Sequence, residues 1–253
     1  MQMGDCNLLN KINIEDIKNI ALEAGIEIMK IYKKDFQVEY KDDKSPLTEA
    51  DKVSNKIICS SLQKLYPNIP VLSEENKEVL YKDRKDWEYY WCIDPIDGTK
   101  EFIKKNDEFT INIALIHNET PILGVVYAPA IDDMYSAKKG EGAFLNNQKL
   151  PLKVNDNPED KLFVVASKSH LSVETQEFID NFDSKEIEQV SKGSSLKLCM
   201  VAEGSADIYP RLAPTMEWDT AAADTIVRES GKMTYQYHSK FNIENLTLEK
   251  PII

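Results

Sequence analysis

The most constraining feature of the chain is an apolar segment that runs directly into two closely spaced acids. Residues 89–93 read Tyr-Tyr-Trp-Cys-Ile, which predicts a buried strand, and residues 94–99 read Asp-Pro-Ile-Asp-Gly-Thr. Proline fixes one backbone angle and glycine permits angles that other residues avoid, so this hexapeptide predicts a stiff turn at the strand end. Such a turn would present two carboxylates and the carbonyl of Ile96.

A helix beginning at Gly98 or Thr99 would leave unpaired backbone amides beside these carboxylates. Such amides bind anions, whereas carboxylate oxygens bind hard cations. The segment therefore predicts a place where a divalent metal ion and a phosphate meet. The simplest alternative is an ordinary turn, because Asp-Pro and Asp-Gly pairs are common turn signals. An EF-hand is excluded, because its first ligand position would fall on Ile93.

The overall charge limits which classes of molecule the chain is expected to bind. The chain has 253 residues, of which 42% are hydrophobic and 29% charged, and its formal net charge is −12. This composition is typical of a folded protein with one large domain or two lobes. An acidic chain is a poor match for a DNA or RNA polymer. A small phosphate ester remains compatible, because bound metal ions reverse the local sign of charge.

The cysteines and the apolar runs indicate a cytoplasmic protein. Cys6, Cys59, Cys92 and Cys199 are widely spaced, so we expect buried thiols rather than disulfides or metal ligands. No apolar run approaches the roughly 20 residues that a membrane helix needs. The first residues also lack the basic and apolar regions of a signal peptide.

Hydrophobic periodicity predicts a mixed α and β chain. The predicted helices cover residues 14–32, a segment opened by Ser45, Pro46 and Thr48 and ended by Pro67, and residues near 172–182, 194–203 and 218–230, the last capped by Gly231. The predicted strands cover residues 69–72, 89–93, 109–117, 122–127, 134–137, 142–145, 162–166, 187–190 and 206–209. The polar residues 155–160 suggest a boundary between an α+β lobe, residues 1–153, and an α/β lobe, residues 154–253.

Further acids lie at element ends. Glu74 and Glu75 follow a short strand, Asp219 lies near the start of the last long helix, and Asp51 lies one turn into the second helix. Each has a simple alternative explanation. A Glu-Glu pair after a strand is usually a solvated loop, whereas Asp219 and Asp51 suit a helix N-terminus.

Together, these segments match a family pattern. Glu74-Glu75, residues 94–99 and residues 218–222 (Trp-Asp-Thr-Ala-Ala) resemble the inositol monophosphatase superfamily of metal-dependent, lithium-sensitive phosphatases. Lys100-Glu101 and residues 109–115, 193–197 and 201–204 narrow the resemblance to the CysQ-type 3'(2'),5'-bisphosphate nucleotidases. The resemblance implies a layered αβαβα sugar-phosphatase-like fold with two lobes and the metal site between them. Only residues 248–253 remain for the final strand of that fold.

The resemblance also implies roles for individual residues. One Mg²⁺ would be held by Glu74, Asp94 and the Ile96 carbonyl, and a second by Asp94, Asp97 and Asp219; relatives with a third ion place it near Glu74 and Asp51. Thr99, oriented by Asp51, would position the attacking water with help from Glu74. The residues expected to contact substrate are Glu74, Ile96, Asp97, Gly98, Thr99, Ser169, His170, Gly193, Ser194, Lys197, Arg211 and Asp219. For the cations among them, the simple alternative is a surface charge.

The implied reaction is Mg²⁺-dependent removal of the 3'-phosphate of adenosine 3',5'-bisphosphate, yielding AMP. The sulfated analogue 3'-phosphoadenylyl sulfate is a further expected substrate, which links the chain to sulfate assimilation. An inositol or sugar monophosphatase using the same metals is the alternative, and a non-catalytic module with a relic site is a third hypothesis. We expect a monomer or homodimer with no nucleic acid polymer as partner, and membrane contact that is at most peripheral, at the cytoplasmic face of the inner membrane.

Overall fold

The computed structural model describes residues 6–41, 46–77, 79–156, 158–167 and 171–235. The helices in these ranges are α1 (Cys6–Leu9), α2 (Ile14–Tyr32), α3 (Glu49–Leu65), α4 (Tyr81–Arg84), α5 (Thr99–Ile103), α6 (Val173–Asp180), α7 (Leu196–Glu203) and α8 (Glu217–Glu229). The strands are β1 (Val38–Tyr40), β2 (Pro46–Thr48), β3 (Val71–Ser73), β4 (Tyr89–Asp97), β5 (Thr110–His117), β6 (Thr120–Ala128), β7 (Asp133–Lys138), β8 (Gly142–Leu145), β9 (Gln148–Lys149), β10 (Lys161–Ser167) and β11 (Glu186–Lys192).

A central sheet carries seven strands in the order β3 to β9. β3 and β4 are parallel, and every later pair is antiparallel. Side chains alternate along β4, so Trp91 and Ile93 pack on the side of α2 and α3, whereas Tyr90 and Cys92 pack on the side of α7 and α8. Both faces of the strand are therefore buried, which explains its continuous apolar sequence.

A second, smaller sheet extends the layers. β10 and β11 are parallel neighbours. Val164 on β10 packs with Ile179 of α6, whereas the adjacent Val165 packs with Val201 of α7. The order of layers is thus α2 and α3, the central sheet, α7 and α8, the small sheet, and α6. The predicted αβαβα layering is confirmed.

The helix boundaries follow from local capping. α2 matches its predicted span, with the Asn13 side chain accepting a hydrogen bond from the Glu15 amide at 3.1 Å. The second predicted helix begins only at Glu49, because Pro46–Thr48 pairs with Val38–Tyr40 as a short antiparallel ladder. Gly231, at φ +87°, follows the end of α8 as its sequence predicts.

Helix α8 lies directly against the central sheet. The contact point is Gly124 on β6, where a Cβ atom would lie 2.1 Å from the carbonyl oxygen of Ala222. Backbone therefore meets backbone at this point, and no side chain separates the helix from the strand. Only glycine permits this approach.

The predicted strand at residues 206–209 is wrong. The segment makes one isolated bridge, between Ile208 and Val164. The Asp207 carboxylate accepts the Phe163 amide hydrogen at 2.8 Å, so a side chain takes a donor that a longer ladder would use, and Pro210 then has no amide hydrogen to offer.

The proposed division into lobes stays a prediction. The central sheet ends with β9 at Lys149, and β10 begins at Lys161. Neither fact by itself tests a boundary at residue 153. The expected final strand at residues 248–253 lies outside the described residues.

The cysteines mostly follow expectation. Cys92 and Cys199 are buried free thiols, whereas Cys59, within α3, is only half-buried and lies beside the polar side chains of Asn55 and Asn76. The side chain of Cys6 lies outside the described part of the chain. Among the described helices, none is long and apolar enough to cross a membrane.

Candidate active site

The hexapeptide after the buried strand is a bulge rather than a turn. β4 continues to Asp97, and its pairing with β5 slips between Asp94, opposite Asn112, and Asp97, opposite Thr110. Pro95 cannot donate a ladder hydrogen bond, and the Ile96 amide donates instead to Asp94 Oδ1 at 3.0 Å. The predicted turn at the strand end is thus corrected, and the bulge brings both acids to the end of the sheet.

The true turn begins one residue later, at Gly98. Its φ of +92° lies in the left-handed region, which favours glycine, and a Cβ there would come within 3.1 Å of the Glu108 carbonyl oxygen. α5 follows at once, from Thr99 to Ile103. The predicted helix start is therefore confirmed.

Three carboxylates from two distant segments meet at this point. Asp94, Asp97 and Asp219 each place a carboxylate oxygen within 4.8 Å of the others. Asp219 reaches the cluster from the first turn of α8, where its Oδ2 accepts hydrogen bonds from the Met216 amide at 3.0 Å and from Thr215 Oγ1 at 2.8 Å. These donors fix one oxygen of Asp219 and leave the other for a ligand.

The cluster is electrostatically strained without a cation. Burial raises the pKa of Asp94 well above its ordinary value, and the charges of Glu74, Asp97 and Asp219 raise it further. Burial and the charge of Asp219 raise the pKa of Asp97 to about 6. A divalent cation bound by oxygen ligands would relieve this repulsion, so the donor set fits a metal ion such as Mg²⁺.

Glu74 lies beside this cluster but is engaged by a lysine. Lys41 Nζ donates to Glu74 Oε1 at 2.8 Å and to Glu75 Oε1 at 2.5 Å. Burial is the main reason that the pKa of Glu74 is raised, although Lys41 opposes it. The structure thus brings Asp94, Asp97 and Asp219 together, and Glu74 approaches them with one oxygen already paired.

The predicted pair of Thr99 and Asp51 is in contact. Thr99 Oγ1 lies 3.2 Å from Asp51 Oδ1 and 3.2 Å from the Ile96 carbonyl oxygen, so its single proton can be donated to either. Asp51 is 1% exposed, and its Oδ2 accepts from the Thr48 amide at 2.7 Å and from Thr48 Oγ1 at 2.6 Å. Burial raises the pKa of Asp51.

Two neighbours of Asp97 lie in the family segments 109–115 and 193–197, but their contact with Asp97 was not predicted. Ser195 Oγ lies 2.7 Å from Asp97 Oδ2 and 2.7 Å from the Asp219 carbonyl oxygen. Asn112 Nδ2 donates to Ser195 Oγ at 2.9 Å, and Thr110 holds the Asn112 side chain through a 3.0 Å hydrogen bond. A buried amide within the apolar strand β5 was the one available signal, because such a group needs polar partners.

A cavity of about 190 Å³ opens beside the cluster. Its lining includes a carboxylate group of residues (Glu74, Asp97, Gly98, Thr99 and Asp219) and a cationic group (Gly193, Ser194, Lys197, Tyr209 and Arg211). The two groups meet at Gly98, where an added Cβ would lie 3.3 Å from the Cβ of Ser194. These include most of the residues expected to contact substrate. Ser169 and His170 lie outside the described residues.

Lys197 and Arg211, which line this cavity together with a third cation, Lys100, differ from surface charges. Lys197 is 5% exposed, donates to the Ser194 carbonyl oxygen, and lies 5.5 Å from the centre of the Tyr209 ring. Burial lowers the pKa of Lys197, so an anion would stabilise its charged form. Arg211 donates from Nη2 to the Pro214 carbonyl at 2.8 Å, while its Nε is buried without a partner among the described residues. An anion in the cavity could satisfy that group.

Comparison with known proteins places this site in a family. Residues 9–250 match the model of the inositol monophosphatase family. The 3'(2'),5'-bisphosphate nucleotidase CysQ of Escherichia coli K12 is 42% identical over 229 residues, which cover 90% of this chain and 92% of that protein. The enzyme of the same name from Buchnera aphidicola is 40% identical over 237 residues, covering 90% and 88%.

Comparison with solved structures supports the same family. The crystal structure of CysQ from Bacteroides thetaiotaomicron, described as a bacterial member of the inositol monophosphatase family, matches with a TM-score of 0.76 at 40% identity and covers 86% of each chain. The inositol monophosphatase of Thermotoga maritima matches with a TM-score of 0.69 at 26% identity, covering 87% of each chain. The chain therefore belongs to the inositol monophosphatase family.

Proposed function

We propose that this chain is a magnesium-dependent phosphatase that hydrolyses adenosine 3',5'-bisphosphate to AMP and inorganic phosphate. The observation that carries the proposal is the cluster of Asp94, Asp97 and Asp219 beside a cavity that Lys197 and Arg211 also line. Relatives named 3'(2'),5'-bisphosphate nucleotidase, at 40–42% identity, support this choice of substrate.

The metal would be held by oxygen atoms alone. Asp94, Asp97 and Asp219 supply carboxylates, and the Ile96 carbonyl and the second oxygen of Glu74 complete the donors, because Glu74 Oε1 is paired with Lys41. Bound Mg²⁺ supplies positive charge that lowers the pKa of a water molecule and stabilises the leaving oxygen. We assign two ions to the site, or three if Asp51 and Glu74 share another.

Thr99 and Asp51 position the attacking water. When Thr99 donates its proton to Asp51, its lone pairs are free to accept a hydrogen bond from water. As the water oxygen bonds to phosphorus, the bond from phosphorus to the ribose 3' oxygen breaks. The water proton passes toward the Thr99–Asp51 pair, and the departing 3' oxygen takes a proton from solvent.

The two phosphates of the substrate would lie in different parts of the cavity. Gly98 and Thr99 line the cavity and follow Asp97 in the chain, and we assign their amides to the reacting 3'-phosphate. Lys197 and Arg211 also line the cavity and suit the 5'-phosphate, because both can supply charged hydrogen-bond donors. An inositol monophosphate has no second phosphate for these groups.

The test is phosphate release from adenosine 3',5'-bisphosphate and from inositol 1-phosphate, each with Mg²⁺ and with EDTA. We expect Mg²⁺-dependent release that favours the nucleotide. Preference for inositol 1-phosphate would keep the metal site and overturn the nucleotide assignment. Absence of release from both substrates would favour the relic-site alternative.

The physiological setting is part of the same proposal. 3'-Phosphoadenylyl sulfate would be a second substrate, and the reaction would clear a by-product of sulfate assimilation in the cytoplasm or at the inner face of the membrane. We expect lithium to inhibit in competition with Mg²⁺, and insensitivity at high millimolar lithium would contradict this. The protein would act as a monomer or homodimer on small nucleotides.

A further inference from the structure

A second carboxylate at the start of α8, that of Glu217, is bound by side chains of α4 and β4. Glu217 is the first residue of α8, two positions before Asp219. Arg84 of α4 binds it through two nitrogens, with Nη1 3.1 Å from Oε2 and Nη2 in contact with Oε1. The hydroxyl of Tyr90 on β4 also donates to Oε2, at 3.2 Å. The Glu217 carboxylate therefore accepts three hydrogen bonds.

These contacts are shielded from solvent. The side chains of Arg84 and Glu217 are 14% and 21% exposed, and Tyr90 is buried. A two-pronged guanidinium–carboxylate pair has defined geometry, and partial burial strengthens it relative to an exposed ion pair. The contact is therefore able to fix the position of the first turn of α8.

The position of that turn matters for the carboxylate cluster. Asp94 and Asp97 come from β4, and Asp219 must be brought to them by α8. Like charges oppose this approach. Tyr90 lies on β4 four residues before Asp94, so a bond from Tyr90 to Glu217 ties the same strand to the same helix. This hydrogen bond therefore opposes the repulsion among the three carboxylates.

We infer that Arg84, Tyr90 and Glu217 are positioning residues that hold the first turn of α8 against β4, so that Asp219 is placed for a divalent cation shared with Asp94 and Asp97. The inference rests on the metal site of the proposed function. These three residues act through Asp219.

For Arg84→Met, a purely electrostatic effect and a loss of positioning predict opposite changes in cation affinity. Arg84→Met removes a positive charge near the site, so a purely electrostatic effect would tighten binding of a cation. Loss of positioning would weaken it. Tyr90→Phe removes one hydrogen bond without changing charge, and serves as a milder second variant if Arg84→Met folds poorly.

The other end of α8 offers a matched control. Glu229, the last residue of the helix, accepts hydrogen bonds from the amides of Gly140 at 2.9 Å and Gly142 at 3.1 Å. Glu229→Ala therefore removes a glutamate tether of the same helix, but at the end remote from Asp219. It should lower thermal stability without altering cation affinity.

The experiment measures binding of Mn²⁺ alone to the full chain, from the electron paramagnetic resonance signal of the free ion. We expect Arg84→Met to raise the dissociation constant about tenfold, in the range typical of residues that orient metal ligands, Tyr90→Phe to raise it less, Arg84→Lys to restore part of the loss, and Glu229→Ala to match wild type. Unchanged or tighter binding by folded Arg84→Met and Tyr90→Phe would overturn the inference while leaving the metal site intact. Failure of the wild type to bind Mn²⁺ would overturn both the inference and the proposed function.

Discussion

The two groups of charged side chains at the site cavity carry opposite charges and are held in different ways. In the carboxylate group, Asp94, Asp97 and Asp219 lie close together against repulsion, and neutral donors such as Ser195 and Thr215 hold them. In the cationic group, Lys197 donates to the Ser194 carbonyl oxygen, and one Arg211 nitrogen has no partner in the described structure. A cation would relieve the repulsion in the first group, and an anion would pair with the second. A phosphate ester bound with metal would satisfy both.

The strongest test of this contrast is removal of one charge from the carboxylate group. Asp94→Asn should lower kcat by at least about a thousandfold, or roughly 4 kcal/mol, because it removes an oxygen ligand from the centre of the cluster. The metal-free variant should be at least as stable as wild type, because less repulsion remains. Steady-state kinetics and thermal unfolding measure the two effects. Activity within tenfold of wild type would contradict the assignment.

Removal of the hydroxyl beside the cluster should have a smaller effect. Thr99→Val keeps the shape of the side chain but cannot position water, so we expect kcat to fall about a hundredfold with little change in the KM for substrate. Single-turnover kinetics at saturating Mg²⁺ measure the loss. Thr120→Val, which alters a half-buried threonine at the start of β6, should leave kcat unchanged. Equal losses in both variants would argue against a role for Thr99.

The pH dependence of stability tests the repulsion directly. The pKa of Asp97 is raised to about 6 in the folded protein, so the native state binds more protons than the unfolded state between about pH 4 and pH 6. Stability contributed by this group is therefore present at low pH and lost as pH rises through 6.

In the metal-free protein, we expect the free energy of unfolding of wild type to fall by about 2 kcal/mol relative to Asp97→Asn across this interval, allowing for partial exposure to the cavity. Urea unfolding in EDTA at several pH values measures the difference. Saturating Mg²⁺ should reverse it for wild type. If the difference in free energy of unfolding stays constant with pH, the pKa of Asp97 is not raised in the folded protein.

The smallest expected effect comes from the cationic group. Arg211→Met should raise the KM for adenosine 3',5'-bisphosphate about tenfold, or roughly 1.4 kcal/mol, because a charged hydrogen bond to the 5'-phosphate is lost. Turnover of 3'-AMP, which lacks that phosphate, should change little. Arg228→Met makes the same change in net charge at the far end of α8, where Arg228 pairs with Asp224, and serves as the control. Equal effects on both nucleotides would place Arg211 outside the 5'-phosphate site.

Local patterns predicted much of the fold. The buried strand before Asp94, the helix Ile14–Tyr32 and the last long helix with Gly231 after it all follow from periodicity and capping, which act between residues a few positions apart. The strand at residues 206–209 failed because the Asp207 side chain bonds to Phe163, a residue 44 positions away. No local pattern encodes such a contact.

The same distinction applies to the candidate site. The acids themselves were predicted, because they stand at element ends and match a family motif. Their immediate partners were not: Lys41 reaches Glu74 across 33 residues, and Ser195 reaches Asp97 across 98. Whether a polar side chain holds a functional one depends on which layers pack together, and that is decided by the assembled fold. The roles assigned to Asp51, Glu74, Thr99 and the substrate residues stay predictions until they are measured.

The contact between Gly124 and Ala222 limits how the site can vary among relatives. A clash of two side chains can be corrected by shrinking one of them, but here a side chain at position 124 would meet the helix backbone itself. No compensating substitution in α8 removes that backbone, so any larger residue would lift the helix and carry Asp219 away with it. Exposed residues of α8 can therefore be substituted without changing the distance between the helix and the sheet. Gly124 therefore sets the distance between α8 and the sheet, and with it the position of Asp219 in the carboxylate cluster.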